Sequence, residues 1–67
     1  MIEVTVNGEK IVLENPVSLM EYLESLSINT NHVAVAYNGE VLHREKYVSV
    51  IFKHLDRIEI VRAVGGG

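Results

Sequence analysis

The sequence Ile2-Glu3-Val4-Thr5-Val6-Asn7-Gly8-Glu9-Lys10-Ile11-Val12-Leu13 reads as a β-hairpin. Ile2, Val4 and Val6 alternate with Glu3 and Thr5, the period-two pattern of a strand with one buried face. Asn7-Gly8 tolerates the positive φ angles of a tight two-residue turn. With that turn, Val4 stands opposite Ile11 and Ile2 opposite Leu13, so all four side chains share one face.

Working outward, Asn15-Pro16 breaks the second strand. Ser18 is placed to cap a helix, and Glu21 three residues on completes a capping box. Val17 before the cap is expected to pack on Tyr22. Leu19, Tyr22, Leu23 and Leu26 recur at helical spacing and are expected to face the sheet, with Glu21, Glu24 and Ser25 toward water. Ser27-Ile28-Asn29-Thr30-Asn31 is too rich in poor helix formers to continue it.

Val33-Ala34-Val35-Ala36-Tyr37 is a third strand, and Asn38-Gly39 a second hairpin signal before Glu40-Val41-Leu42. His43 to Tyr47 is charged and suits a short helical turn. Val48-Ser49-Val50-Ile51-Phe52 fits either a strand or an irregular segment anchored in the core. Arg57 to Val64 alternates as a final strand. The order is ββαβββ, an α+β chain with one main helix packed across a mixed sheet of about five strands. With the first and last strands side by side, this is a β-grasp, or ubiquitin-like, architecture. Residues 1–64 are expected to form the domain and residues 65–67 a flexible tail.

Composition narrows the function classes. Sixty-seven residues hold one small domain, and the chain has no cysteine, so neither disulfide nor thiol chemistry is open to it. The formal net charge is -3, and basic residues do not cluster. The electrostatic footprint of a nucleic-acid binder is missing. Apolar runs are short and always interrupted, so neither a membrane span nor a secretory signal is expected, and a cytoplasmic location follows by default.

Conventional active-site material is scarce. His32, His43 and His54 are scattered, and none has another ligand type at a metal-binding spacing, so no metal site is expected. Ser18 has a capping partner nearby in sequence but no histidine, so it reads as a cap rather than a nucleophile. No convergent polar set suggests an enzyme.

The chain ends Val64-Gly65-Gly66-Gly67. Glycines without Cβ atoms make a thin thread able to enter a narrow channel on another protein. A frayed or appended end has the same composition, but a β-grasp domain whose final strand leads directly into a terminal Gly-Gly is a specific combination. Activation of the terminal carboxylate as a mixed anhydride with AMP would let it accept a sulfur donor, giving a thiocarboxylate at Gly67. In a chain without cysteine, that terminus is the evident place to hold sulfur.

Several segments in order carry a resemblance. They are Val6-Asn7-Gly8-Glu9, Ser18-Leu19-Met20-Glu21-Tyr22-Leu23, Val33 to Val41, Arg44-Glu45, and Asp56-Arg57-Ile58-Glu59-Ile60-Val61 running on to Gly67. Over essentially its whole length the chain resembles the ThiS family, the ubiquitin-like sulfur carriers of thiamine biosynthesis. The resemblance implies adenylation of Gly67 by an E1-like, ThiF-type enzyme using ATP, with Gly65 and Gly66 recognised as the tail. It further implies sulfur supply by a sulfurtransferase system and delivery to a ThiG-type thiazole synthase. The chain would be carrier and co-substrate, without a catalytic site or bound cofactor of its own.

Two positions depart from the family pattern. His43 stands where proline is frequent, and Leu55 stands before Asp56 where glycine is common. If that turn uses a positive φ, Leu55 makes it costly, so an altered backbone is one outcome. For docking, Ala34, Ala36, Val61, Ala63 and Val64 are expected to form a shallow apolar patch leading to the tail, with Val12 and Val41 extending the same side and Glu59 among them. Alternatives are a sulfur carrier of another pathway, such as the small subunit of molybdopterin synthase, and a protein modifier or interaction module of the same fold.

Overall fold

The computed structural model describes residues 1–62 of the chain. The predicted hairpin is present as β1 (Ile2–Val6) and β2 (Glu9–Leu13), with Ile2 opposite Leu13 and Val4 opposite Ile11 as the alternation requires. Asn7 and Gly8 take φ values of 50° and 84°, positive at both turn positions as a type I′ turn demands. Asn38 and Gly39 repeat the device at 51° and 86°, joining β3 (Val33–Tyr37) to β4 (Glu40–Leu42).

The helix α1 spans Leu19–Ser25. Its capping box is formed: Glu21 N–H donates to Ser18 Oγ at 3.0 Å, and Ser18 N–H donates to Glu21 Oε1 at 3.1 Å. The other free donors of the first turn are met from a distance. Leu19 N–H reaches Val50 O at 2.8 Å and Met20 N–H reaches Tyr47 O at 3.1 Å. At the far end Ser27 turns left-handed, φ 58°, so its N–H meets Glu24 O at 3.0 Å and Ile28 N–H meets Leu23 O at 3.2 Å. This is a Schellman stop with serine in place of the usual glycine. It corrects the expectation for Leu26, which caps the helix and is 43% exposed instead of facing the sheet.

The two readings of Val48–Phe52 resolve in favour of the irregular one. A single antiparallel bridge joins Ile51 to Ser18, and Phe52 N–H donates to Val17 O at 2.9 Å. Phe52 is 1% exposed, with its ring centroid 5.4 Å from that of Tyr22. The segment therefore ties the helix entrance to the core. Short 3₁₀ turns occupy Arg44–Lys46, as the charged run suggested, and Thr30–His32, where the sequence reading saw only a helix stop.

The last strand, β5 (Arg57–Arg62), inserts between β1 and β3, giving the order β2-β1-β5-β3-β4. It runs parallel to β1 and antiparallel to β3. Val4, Val6, Val35, Ile58 and Ile60 point from the sheet onto Leu19, Leu23, Tyr47 and Phe52, and these nine residues form the core. Arg62 ends the described part of β5; the predicted continuation through Ala63 and Val64, and the tail at Gly65–Gly67, lie outside the described residues.

Candidate functional site

Beyond its strand pairings, β5 is held on both flanks by the asparagines of the two hairpin turns. Asn7 extends the short parallel pairing with β1: Ile60 N–H donates to its Oδ1 at 2.7 Å, and its Nδ2 donates to Ile60 O at 3.2 Å. On the other flank Arg57 N–H donates to Asn38 Oδ1 at 2.8 Å, while Asn38 N–H donates to Arg57 O at 2.8 Å. An asparagine side chain carries a donor and an acceptor in the geometry of a peptide group, so the Asn7 amide substitutes for one residue of a neighbouring strand, while Asn38 meets Arg57 with its backbone N–H and its Oδ1. The strand that leads to the C-terminal glycines is thereby fixed along its length.

Asp56 fixes where that strand starts. Its carboxylate is buried and accepts from Lys53 N–H at 2.7 Å, from Asn38 Nδ2 at 3.2 Å and from the Tyr37 hydroxyl. Burial pushes the Asp56 carboxyl up, but the hydrogen bonds from Tyr37, Lys53 and Asn38, with the nearby Lys53 charge, outweigh it and hold the group below its ordinary range. Burial, the same hydrogen bond and the Asp56 charge push Tyr37 up to about 12. The preceding residue, Leu55, adopts φ 72°, so the left-handed turn persists with leucine in it. Its N–H donates to Glu3 O at 2.6 Å, docking the turn on β1.

Of the residues expected to form an apolar patch, Ala34, Ala36 and Val61 are described, and they lie on the face of the sheet away from the helix. Ala34 stands opposite Val61, and Ala36 is flanked by Glu59 on one strand and Val41 on the other. These side chains line a depression of about 170 Å³. Val61 is 65% and Val41 76% exposed, whereas the two alanines between them are too short to fill the space. Val12 is exposed on the same face but pairs with Glu3 on the far side of the sheet and does not line the depression. Ala63 and Val64, expected to complete the patch, lie outside the described residues, as do Gly65, Gly66 and Gly67.

The histidines are not brought together. His32 ends a 3₁₀ turn, His43 precedes the other, and His54 accepts from Glu3 N–H through Nδ1 at 3.0 Å. Among the described residues no group of three or more histidine, aspartate or glutamate side chains could hold a metal ion. Among them, too, no helix is long and apolar enough to cross a membrane. What the described residues offer is a shallow apolar depression beside a strand held on both flanks. The roles of Asn7 and Asn38 were missed in the sequence, where each reads only as a turn residue; their strand contacts lie 53 and 19 positions away.

Five strands in this order with one helix across the sheet define a β-grasp protein of the ubiquitin-like kind. The model of the ThiS family matches residues 1–67, and the chain belongs to that family. It is similar to the crystal structure of a thiamine biosynthesis protein (ThiS) from Geobacter metallireducens, with TM-score 0.83 and 32% identity, covering 98% of this chain and 100% of that one. A solution structure of a thiamine biosynthesis protein from the same organism gives a TM-score of 0.80, with 98% and 88% covered. Among curated relatives, uncharacterized protein ycf40 of Pyropia yezoensis is 33% identical over 66 residues, and that of Porphyra purpurea 32% identical over 66. In both, the match spans 98% of this chain and 93% of the relative.

Proposed function

We propose that this chain is a sulfur carrier whose terminal Gly67 is adenylated, converted to a thiocarboxylate and used as sulfur donor for thiazole formation in thiamine biosynthesis. The observation that carries the reading is the combination of ThiS-family membership with a sequence that ends in three glycines, the first of them three residues after Arg62, the last described residue of the central strand. A carboxylate is a poor electrophile. Attack of a Gly67 carboxylate oxygen on the α-phosphorus of ATP forms the acyl–adenylate bond and expels pyrophosphate. A sulfide-level nucleophile then forms the C–S bond as the C–O bond to AMP breaks, with no net oxidation.

In this reading the chain is a co-substrate rather than an enzyme. A ThiF-type adenylating enzyme supplies the ATP chemistry, a sulfurtransferase system the sulfur, and a ThiG-type thiazole synthase receives it. Gly65 and Gly66 are the thread by which those enzymes take the terminus. Val61, Ala34 and Ala36, continued by Ala63 and Val64, are the surface on which they dock. In this reading the work is done in the cytoplasm.

The test is the intact mass of the protein purified from its native host, combined with thiol-directed alkylation and fragmentation. Replacement of one oxygen by sulfur at Gly67 supports the carrier. A lysine isopeptide to another protein would replace it with a modifier. A terminus left untouched by ATP and the cognate adenylating enzyme overturns the proposal.

A further inference from the structure

A groove of about 480 Å³ lies beside the end of β5 from which the chain continues to its C-terminus. Val33, the cross-strand partner of Arg62, lines it together with Thr30, Asn31, His43, Arg44 and Glu45. Its polar rim comes from the two 3₁₀ turns. The Arg44 guanidinium links them, donating through Nη1 to Asn31 Oδ1. Asn31 is itself held, its N–H donating to Asn29 Oδ1 at 2.9 Å. An exposed arginine ordinarily loses much rotamer freedom on binding; here part of that ordering precedes any partner. Asn31 is neutral and engages one of the five N–H donors of the guanidinium, which leaves the charge unneutralised by that bond.

We propose that Arg44 anchors a carboxylate carried by the adenylating enzyme that activates this chain's C-terminus. The inference rests on the carrier reading above and adds a contact to it. Three features choose the occupant. The guanidinium fork matches a carboxylate bidentately. Ala34 lines both this groove and the apolar depression, so a single partner covering the depression reaches Arg44 as well. Glu45, in the same groove, opposes a multiply charged free anion, while one carboxylate fixed on a protein surface can be directed at Arg44 and away from Glu45. On a chain of net charge -3, such a contact sets the orientation of docking rather than bulk attraction.

The experiment uses the full chain and its cognate adenylating enzyme. Binding of wild type, R44K, R44Q and R44E is measured by calorimetry at low and high salt, alongside ATP–pyrophosphate exchange as a function of carrier concentration. Amide NMR spectra establish that each variant is folded. The expected result for R44E is a dissociation constant and KM raised about tenfold or more, because like charges then face each other. The kcat at saturating carrier stays unchanged, and R44Q falls between R44E and wild type. Substitution of the contacting Asp or Glu of the enzyme by Lys restores R44E, a rescue that loss of packing alone does not allow. An R44E variant that binds and reacts like wild type overturns the anchor and leaves the carrier reading standing. Failure of the wild-type chain to be adenylated overturns both.

Discussion

At Leu55 an exposed leucine occupies backbone that glycine adopts freely, with φ at 72° and 69% of its surface open to solvent. Left-handed backbone costs a residue with a Cβ roughly 1–2 kcal/mol, of which glycine's greater unfolded-state entropy returns about 0.5–1. Leu55→Gly is therefore expected to stabilise the domain by about 0.5–1 kcal/mol, a rise in Tm of a few degrees for a chain this small. Thermal denaturation checks it; a fall in Tm would mean that the leucine side chain contributes more than its backbone costs. The next residue has a pH signature. The Asp56 carboxyl lies below its ordinary value of 3.8, so its contribution is present above that pH and is lost as pH falls through the lower, folded-state value. Tyr37, pushed up to about 12 from 10.0, contributes fully below pH 10 and loses its contribution as pH rises toward 12. Asp56→Asn should cost about 1.5–3 kcal/mol at neutral pH, since its hydrogen bonds are to a charged acceptor, and should flatten the acid limb. Urea titrations at neutral and acid pH measure both effects.

At the scale of elements, β5 depends on groups outside the ladder. Its parallel pairing with β1 covers only Thr5–Arg57 and Val6–Ile58, and Asn7 carries the contact on to Ile60. Asn7→Gly retains the φ of 50° without strain but removes the side-chain clamp. The expected outcome is faster amide exchange at Ile60, whose N–H loses its acceptor, with the β1–β2 hairpin retained. Unchanged Ile60 protection would show that the clamp contributes nothing. The helix depends on distant groups in the same way, its first-turn donors being met by Tyr47 and Val50. The irregular segment between β4 and β5 is thus part of the helix cap.

For the whole molecule, the sheet divides the domain into a helix face that makes the core and an open face that carries the apolar depression. Val61 lies on the open face, 65% exposed and outside the core cluster. Val61→Glu is expected to leave stability within about 0.5 kcal/mol of wild type, as for an ordinary surface substitution. Placing a charge in an apolar contact should nevertheless weaken carrier adenylation about tenfold or more. Denaturation curves and ATP–pyrophosphate exchange read the two effects separately; normal adenylation of a folded variant would remove the depression from the docking surface.

Alternation and turn chemistry made the hairpins, their register, the capped helix and the inward set of β5 legible without coordinates. Each of these is a local pattern whose period or turn residue dictates the geometry. The glycine ending stands in the sequence itself, and the chemistry proposed for Gly67 rests on it. Tertiary structure decided what depends on residues far apart in the chain. It settled Val48–Phe52 as an anchor, because the Val50 carbonyl answers the N–H of Leu19 and the Phe52 N–H donates to Val17 O, both about thirty positions earlier. It revealed Asn7 and Asn38 as clamps on β5, since a turn asparagine shows nothing in sequence of the strand it will meet. It kept the left-handed turn at Leu55, where the contact with Glu3 and the Asp56 network outweigh a local preference. And it joined Asn31 to Arg44, two polar residues from separate turns that only the folded sheet brings to one groove.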